Sequence, residues 1–443
     1  MLLRCAVENY LSICERQELS TIASSLRSDL DHVRPIDARG LEKHGYLPVL
    51  ALYGANAAGK SNMLSGVNAI FEAVRTSYKR AIAQRNSENT VVPYRPPRFA
   101  KSMAASVSHF DVDVVLDEVR YHYGFETTAA GVHAEWLYSY PKGSKTVLFE
   151  RKFQDGGTAD FKFGRTIGAL DGTMAELAKN RTFLFLSAAR SVGTGPLKEI
   201  SEKFASSLTF VMDESRFNEL LVAEELAKSE QVLKSVEKFI ALADVGIVGI
   251  NVAKKVRTES LSRLMTGMSE LLSGLFPEGN VNPIKEDAER REDWRIEFTH
   301  AGHNNETFIQ EARSESSGTL SLLALLVPAL AALESGRTFV VDELNNTLHT
   351  KLSEVLVQMF SDKRINTKGA QFIFSTHDTK LLNSNVFRRD EIWFAEKRST
   401  GETVIYPLTD FSPRKQENIE RSYLEGRYGA VPYFGDISAM FLP

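Results

Sequence analysis

Residues 54–61 read GANAAGKS, and what flanks them decides the fold. Before them runs LPVLALY, Leu47 to Tyr53, an apolar stretch of the length of one buried strand. After them Met63, Leu64, Val67, Ile70, Phe71 and Val74 recur at helical spacing, which predicts an amphipathic helix with one face in the core. Strand, glycine-bearing loop and helix make a cradle for phosphates. Glycines let backbone amides close round the anion, and the helix N-terminus presents N–H groups that have no intrahelical partner. On this spacing Gly54, Asn56 and Gly59 line the loop and Lys60 reaches the β and γ phosphates of a nucleoside triphosphate. Ser61 places its hydroxyl on Mg²⁺, and Asn62 follows in the first turn of the helix.

Further along, residues 338–343 read TFVVDE, a short apolar strand ending in two carboxylates. Mg²⁺ takes one or two carboxylates together with phosphate oxygens and water, which makes Asp342 the metal partner. Glu343, next along, is placed to polarise the attacking water. A D-E pair after a strand is also a common surface turn, and it is the order of elements that favours a site. Leu320 to Glu334 reads as an apolar helix, Gly336 suits its stop, and the strand follows at once. A helix over Lys351 to Phe360 and a buried strand over Gln371 to Phe374 then lead into Ser375-Thr376-His377-Asp378, where His377 is placed to sense the γ-phosphate.

Residues 314–319, SESSGT, open the helix that precedes the carboxylate strand. Ser317 and Gly318 at a helix N-terminus make a second phosphate site. One helix terminus is worth only ~0.3 to 2 kcal/mol towards an anion, too little to hold a nucleotide alone. Its use has to be cooperative, one protomer's serine and glycine closing on the triphosphate held by the other's loop. A homo-oligomer, a dimer or a larger even assembly, is the expectation.

The rest of the chain is read against that site. Of 443 residues 43% are hydrophobic and 25% charged, near the average for globular proteins, and the formal net charge is −4. Nothing global favours nucleic acid; a contact would need a local basic patch, for which Arg388, Arg389, Lys397, Arg398, Arg414 and Lys415 are candidates against a plain solvated surface. Cys5 and Cys14 are too few to staple a fold or chelate zinc, which fits a reducing cytoplasm. No membrane span is expected, because the longest apolar run, Leu320 to Leu333, reads as a core helix. Loops are expected at Arg85 to Ser108 and Phe276 to Asp293. Between them, alternation from His109 to Phe153 predicts half-buried antiparallel strands, and helical spacing from Ser215 to Leu242 predicts a short helical arm with Leu220, Leu221, Leu226, Val232, Leu233, Val236 and Phe239 on one face.

Together these motifs resemble the ABC-type ATPases of the OLD, RecF and RloA grouping, many of them AAA-like proteins of bacterial phage-defence and abortive-infection systems. The likeness covers VENYLSICERQELS near the start, GANAAGKSN, the strand stretch YGFETTAAGVHAEWLYSYPKGSKTVLFERKF, SESSGTLSLLALL, TFVVDELNNTLH, QFIFSTHDTKLL, RRDEIWFAEK and the tail RKQENIERSYLEGRYGAVPYF. It implies an α/β fold, an ABC-type head with a mixed core sheet, an antiparallel β lobe and a helical insertion. The expected parts are an N-terminal piece of the head over 1–180, the insertion over 181–294 and the C-terminal piece over 295–443. ATP and Mg²⁺ are the implied cofactors, Ser317 and Gly318 take the signature role, Glu343 the catalytic glutamate role and His377 the switch role. One departure stands out: where the family has an acidic residue soon after the D-E pair, this chain has Leu344-Asn345-Asn346. The Q-loop glutamine is not placed, with Gln84 and Gln154 as candidates.

Only 66 residues follow His377, reading as a β-hairpin (Glu391 to Arg398, Thr403 to Leu408) and a short helical tail. That leaves no room for the metal-binding Toprim domain of OLD nucleases, so an effector, a nuclease by the resemblance, is expected in trans, with a phage protein as a possible trigger. The alternatives are a RecF-like DNA-binding repair ATPase and, further off, the nucleotide-binding subunit of a transporter, whose usual LSGGQ signature SESSGT does not match.

Overall fold

The computed structural model describes residues 1–432 except 27, 84–90, 100–105, 155–158, 169–171, 213–216, 243–245, 257–266, 268–291, 346–348 and 384–385. The expected loop from Phe276 lies outside the described residues as far as 291, as does Gln84. Of the loop after Arg85, residues 91–99 are described and contain neither helix nor strand.

The fold is mixed α/β. Its central sheet has six strands in the order Leu208–Val211, Thr338–Val341, Gln371–Ser375, Val49–Tyr53, Ile392–Lys397, Thr403–Pro407. The first five are parallel and the last returns antiparallel as a hairpin. Parallel strands are buried on both faces, and Val49–Tyr53 shows why its sequence is apolar without alternation. Leu50 and Leu52 enter one core with Met63, Val67, Ile70 and Phe71 of the helix Lys60–Ala83. Val49, Ala51 and Tyr53 enter the other with Leu322, Leu323 and Leu326 of the helix Ser317–Ser335.

The first core is closed by a seven-stranded antiparallel sheet in the order Ala159–Phe163, Thr146–Phe153, Gly131–Ser139, Val119–Thr128, Ser108–Leu116, Leu2–Glu8, Gln17–Ser20. This contains the alternating segment read from His109 to Phe153, and Phe110, Val112, Val114, Tyr123 and Phe125 are its buried face. Gln371 fastens the two sheets: its side chain bonds the N–H and C=O of Leu2 at 2.6 and 2.8 Å and accepts from the Thr338 hydroxyl at 3.0 Å. On the same lobe buried Glu135 accepts from the N–H groups of Phe185 and Leu186 and pairs with Arg151, so a carboxylate satisfies the N-terminus of the helix Phe185–Val192.

The helical insertion expected over 181–294 is helical only in part. Leu208–Val211 lies in it and forms the edge strand beside Thr338–Val341. Ile247–Val256, followed by Glu292–Ala301 and Thr307–Glu311, builds a separate three-stranded antiparallel sheet. The expected arm is two short helices, Glu219–Lys228 and Glu230–Leu242, packed on the helix Ser317–Ser335. The break at Ser229 resets the helical phase, so Val222, Ala223, Leu226, Val232, Val236 and Ile240 are buried while Leu221 is 61% exposed.

By length and composition Ser317–Ser335 is apolar enough to cross a bilayer, but Leu322, Leu323, Leu325, Leu326, Val327 and Ala329 are buried in the second core. Its stop is the expected one: Gly336 takes φ 72°, ψ 25°, and its N–H bonds the carbonyl of Ala332.

Candidate functional site

Because the central strands are parallel, the residues that follow each of them emerge on one edge, where open α/β sheets bind ligands. Val49–Tyr53 delivers Gly54 to Ser61, Thr338–Val341 delivers Asp342 and Glu343, and Gln371–Ser375 delivers Thr376 and His377. The order is informative. Gln371–Ser375 lies between the other two strands, so Ser375 stands between the carboxylates and the loop.

Lys60 is the first residue of its helix and is 5% exposed. Its ammonium donates to the carbonyls of Gly54 at 2.8 Å and Ala55 at 3.1 Å, curling the loop over its own helix N-terminus. Burial pushes its pKa below the usual lysine value, while the negative charges of Glu343 and Asp342 pull it back up. The lysine and both carboxylates therefore share one electrostatic neighbourhood.

The hairpin Ile392–Pro407 backs the loop. The Thr403 hydroxyl donates to the Ala58 carbonyl at 2.9 Å and meets Ser12 Oγ at 2.7 Å; Ser12 Oγ in turn accepts from Asn62 Nδ2 at 2.6 Å. Sequence reading placed Asn62 here but missed Thr403 and Ser12, which are 345 residues away and at the chain start. Gly59 has φ 106°, and a Cβ on it would lie 2.0 Å from Thr403 Oγ1. Gly59→Ala is therefore expected to lower stability by roughly 1–3 kcal/mol through strain and clash and to weaken nucleotide binding with it. Thermal unfolding and ATP titration of the variant check this; unchanged values would mean the loop is not held as described.

Beyond Asn62 opens a cavity of about 770 Å³, bordered by Ser12, Asn62, Tyr94, Arg95, Arg98, Phe99 and Lys397. Among the described residues its lining carries three cations and no carboxylate. The loop after Arg85 contributes most of it.

At the carboxylate strand, Asp342 is 7% exposed and Glu343 sits at φ 61°, a left-handed conformation that costs a non-glycine residue roughly 1–2 kcal/mol. The conformation is held from the neighbouring strand. The Glu343 N–H donates to Ser375 Oγ at 2.7 Å, the Leu344 N–H to the Ser375 carbonyl at 3.0 Å, and Ser375 Oγ donates to Asp342 Oδ1 at 2.5 Å. One residue on, Asn345 Oδ1 accepts from the Thr376 hydroxyl at 2.7 Å and the His377 N–H at 3.2 Å, and its Nδ2 lies 2.8 Å from His377 Nε2. Asn345 thus orients the His377 ring in the stretch where the resemblance implies an acidic residue. Asn346 lies outside the described residues.

The SESSGT segment is a capped helix start. Ser316 is the N-cap, its hydroxyl accepting from the Thr319 N–H at 3.0 Å, which puts Ser317 and Gly318 in the first turn. Behind it Glu315 is pinned to His300 at 2.5 Å and the Ser314 carbonyl to Gln310 Nε2 at 2.7 Å, both partners on the three-stranded sheet. Only Gly336 and Arg337 separate the helix from Thr338–Val341, and the helix packs on that strand, so it runs back against it and its N-terminus points to the same edge as the loop.

Of the six candidate nucleic-acid cations, four are engaged within the chain. Arg388 is buried on Asp390, Arg389 donates to the carbonyls of Pro413 and Arg414, Arg398 pairs with Glu402 and Lys415 with Asp29. Gln154 bonds Asp160 on the outer lobe. Among the described residues no cluster of three or more His, Cys, Asp or Glu side chains could hold a metal by itself.

A glycine-bearing loop at a helix start, a buried lysine and two carboxylates on the carboxyl edge of a parallel sheet define the P-loop nucleotide-binding class. Residues 49–383 match the family model described as "AAA domain, putative AbiEii toxin, Type IV TA system". The match spans more than half of the chain, and the chain belongs to this family: it is an AAA-like P-loop ATPase of the abortive-infection, toxin–antitoxin type. A search of curated proteins found no match.

Proposed function

We propose that this chain is an ABC-type ATPase head of the OLD, RecF and RloA grouping, which closes ATP between two copies of itself. In a phage-defence system it would control an effector, a nuclease, supplied in trans. The observation that supports this most is a second helix terminus: Ser317 and Gly318 begin a capped helix whose N-terminus lies at the same sheet edge as the loop of Lys60. A P-loop alone has no need of it.

In this reading Gly54, Asn56, Gly59 and Lys60 hold the β and γ phosphates, and Asn62 leads to the nucleoside, for which the cavity beside it has the volume and the aromatic rings. Ser61 and Asp342 fit Mg²⁺: both are hard oxygen donors, and few protein ligands suffice when phosphate oxygens complete the shell. Mg²⁺ would neutralise charge building up on the phosphates. Glu343 takes the proton of the attacking water, and His377, oriented by Asn345, reads the γ-phosphate. The burial of Arg388 on Asp390 and the hold of the Pro413 and Arg414 carbonyls on Arg389 weigh against the DNA-clamp alternative, whereas the exposed pairs of Arg398 and Lys415 leave those two cations available.

The composite site is tested by complementation. Ser317→Glu sets a carboxylate against the partner's γ-phosphate and, alone, should hydrolyse ATP at a small fraction of the parent rate; Lys60→Ala alone should do the same. Mixed, they should recover at most one working site per dimer, because each site takes its halves from different protomers. Parent-rate hydrolysis by Ser317→Glu alone would remove the sandwich from this account.

A further inference from the structure

We infer that Ser375 is a positioning residue of the hydrolytic site, its one hydroxyl setting the metal-side carboxylate of Asp342 and the backbone of Glu343 at the same time. The inference rests on the reading of Asp342 and Glu343 as the hydrolytic pair and adds to it a residue that no motif identifies.

The hydrogen bonds leave no freedom in their direction. A backbone N–H can only donate, so Ser375 Oγ accepts from Glu343, at 2.7 Å. An ionised carboxylate can only accept, so the same oxygen donates its single proton to Asp342 Oδ1, at 2.5 Å. Ser375 is 0% exposed, so bulk solvent does not reach its hydroxyl. Donation to Oδ1 restrains rotation of the carboxylate, the group that would hold the metal in this reading. Acceptance from Glu343, with the Leu344 N–H on the Ser375 carbonyl at 3.0 Å, holds Glu343 at φ 61°. Without that hold the residue would relax towards an ordinary φ and carry its side chain away from the loop. The strand order makes this possible: Ser375 ends the strand between Val49–Tyr53 and Thr338–Val341.

Two variants test the role. Ser375→Ala removes the hydroxyl; Ser375→Cys keeps the shape with a weak donor and guards against loss of fold. Both should bind ATP in EDTA within about threefold of the parent, because the loop and Lys60 are untouched. Both should need about tenfold more Mg²⁺ for half-maximal hydrolysis and show a kcat lower by about 10- to 100-fold, the range in which partners of metal ligands act. If both kept the parent's kcat and Mg²⁺ dependence, the role would be refuted. If metal-free ATP affinity fell in step with kcat, Ser375 would be a packing residue only, which also overturns it. Asp342→Asn, measured alongside, separates this from the underlying reading. An unchanged Mg²⁺ dependence there removes the hydrolytic pair itself, whereas a shifted one beside unchanged Ser375 variants removes only Ser375.

Discussion

Lys60→Ala is expected to lose Mg-ATP binding by roughly a thousandfold. The magnitude follows from charge: a lysine and a phosphate oxygen about 4 Å apart, at an effective dielectric near 20, attract by about 4 kcal/mol, and each ~1.4 kcal/mol is tenfold in Kd. Lys60 is well placed to deliver that much because its side chain is buried and already desolvated, so little water has to be shed when phosphate arrives. The variant also loses the ammonium bonds to the Gly54 and Ala55 carbonyls, which loosens the loop and acts in the same direction. Calorimetric titration with Mg-ATP measures the effect, and thermal unfolding of the nucleotide-free protein shows whether the fold is kept. An affinity equal to the parent's would place the nucleotide elsewhere.

What the sequence revealed and what it hid divide along sequence distance. The strand before the loop was legible because burial on both faces leaves no polar residue in Val49–Tyr53, and the helix after it because Met63, Val67, Ile70 and Val74 repeat along one face. Gly336 was legible as a helix stop because few other residues adopt its φ of 72° without strain. The edge strand Leu208–Val211 was hidden. Its four residues carry little pattern, and its partner Thr338–Val341 is 130 residues on, so only the completed sheet shows why it extends. The two-helix segment was misread on one face because Ser229 restarts the turn count between two helices that local spacing treats as one.

The same distinction applies within the site. Lys60, Asp342, Glu343 and His377 announce themselves by residue type at the ends of predicted strands. The residues that orient them do not. In the sequence Ser375 is one residue of the stretch leading to His377, but its hydroxyl bonds Asp342 and Glu343, more than thirty positions earlier. Asn345 lies in the stretch Leu344-Asn345-Asn346, which in sequence shows only the lack of an acidic residue, whereas its amide bonds Thr376 and His377. Thr403 supports the loop from the far end of the chain. A serine, an asparagine and a threonine are unremarkable until the sheet brings strands together in an order the sequence does not state.

Glu343→Gln should separate binding from turnover. A general base contributes a factor of ~10² to 10⁴, so kcat is expected to fall by that amount. Affinity for Mg-ATP should stay level or rise, because the substitution removes a negative charge from the neighbourhood of the γ-phosphate while Lys60 and Asp342 remain. The backbone arrangement should survive: Glu343 engages Ser375 through its N–H, which glutamine retains, and glutamine is no bulkier at φ 61°. Asp342→Asn makes the opposite case. Its amide oxygen can still accept from Ser375, so the fold should hold, but the charge that retains Mg²⁺ is gone, and binding of the metal complex and hydrolysis should fall together. If ATP closes two copies on each other, the Glu343→Gln protein, unable to finish the cycle, should elute with Mg-ATP as the larger, nucleotide-loaded species, while Asp342→Asn should not. Nucleotide retention and size on a Mg²⁺-containing column read both at once. A Glu343→Gln protein that neither keeps ATP nor assembles would assign this glutamate to holding the nucleotide instead of hydrolysing it.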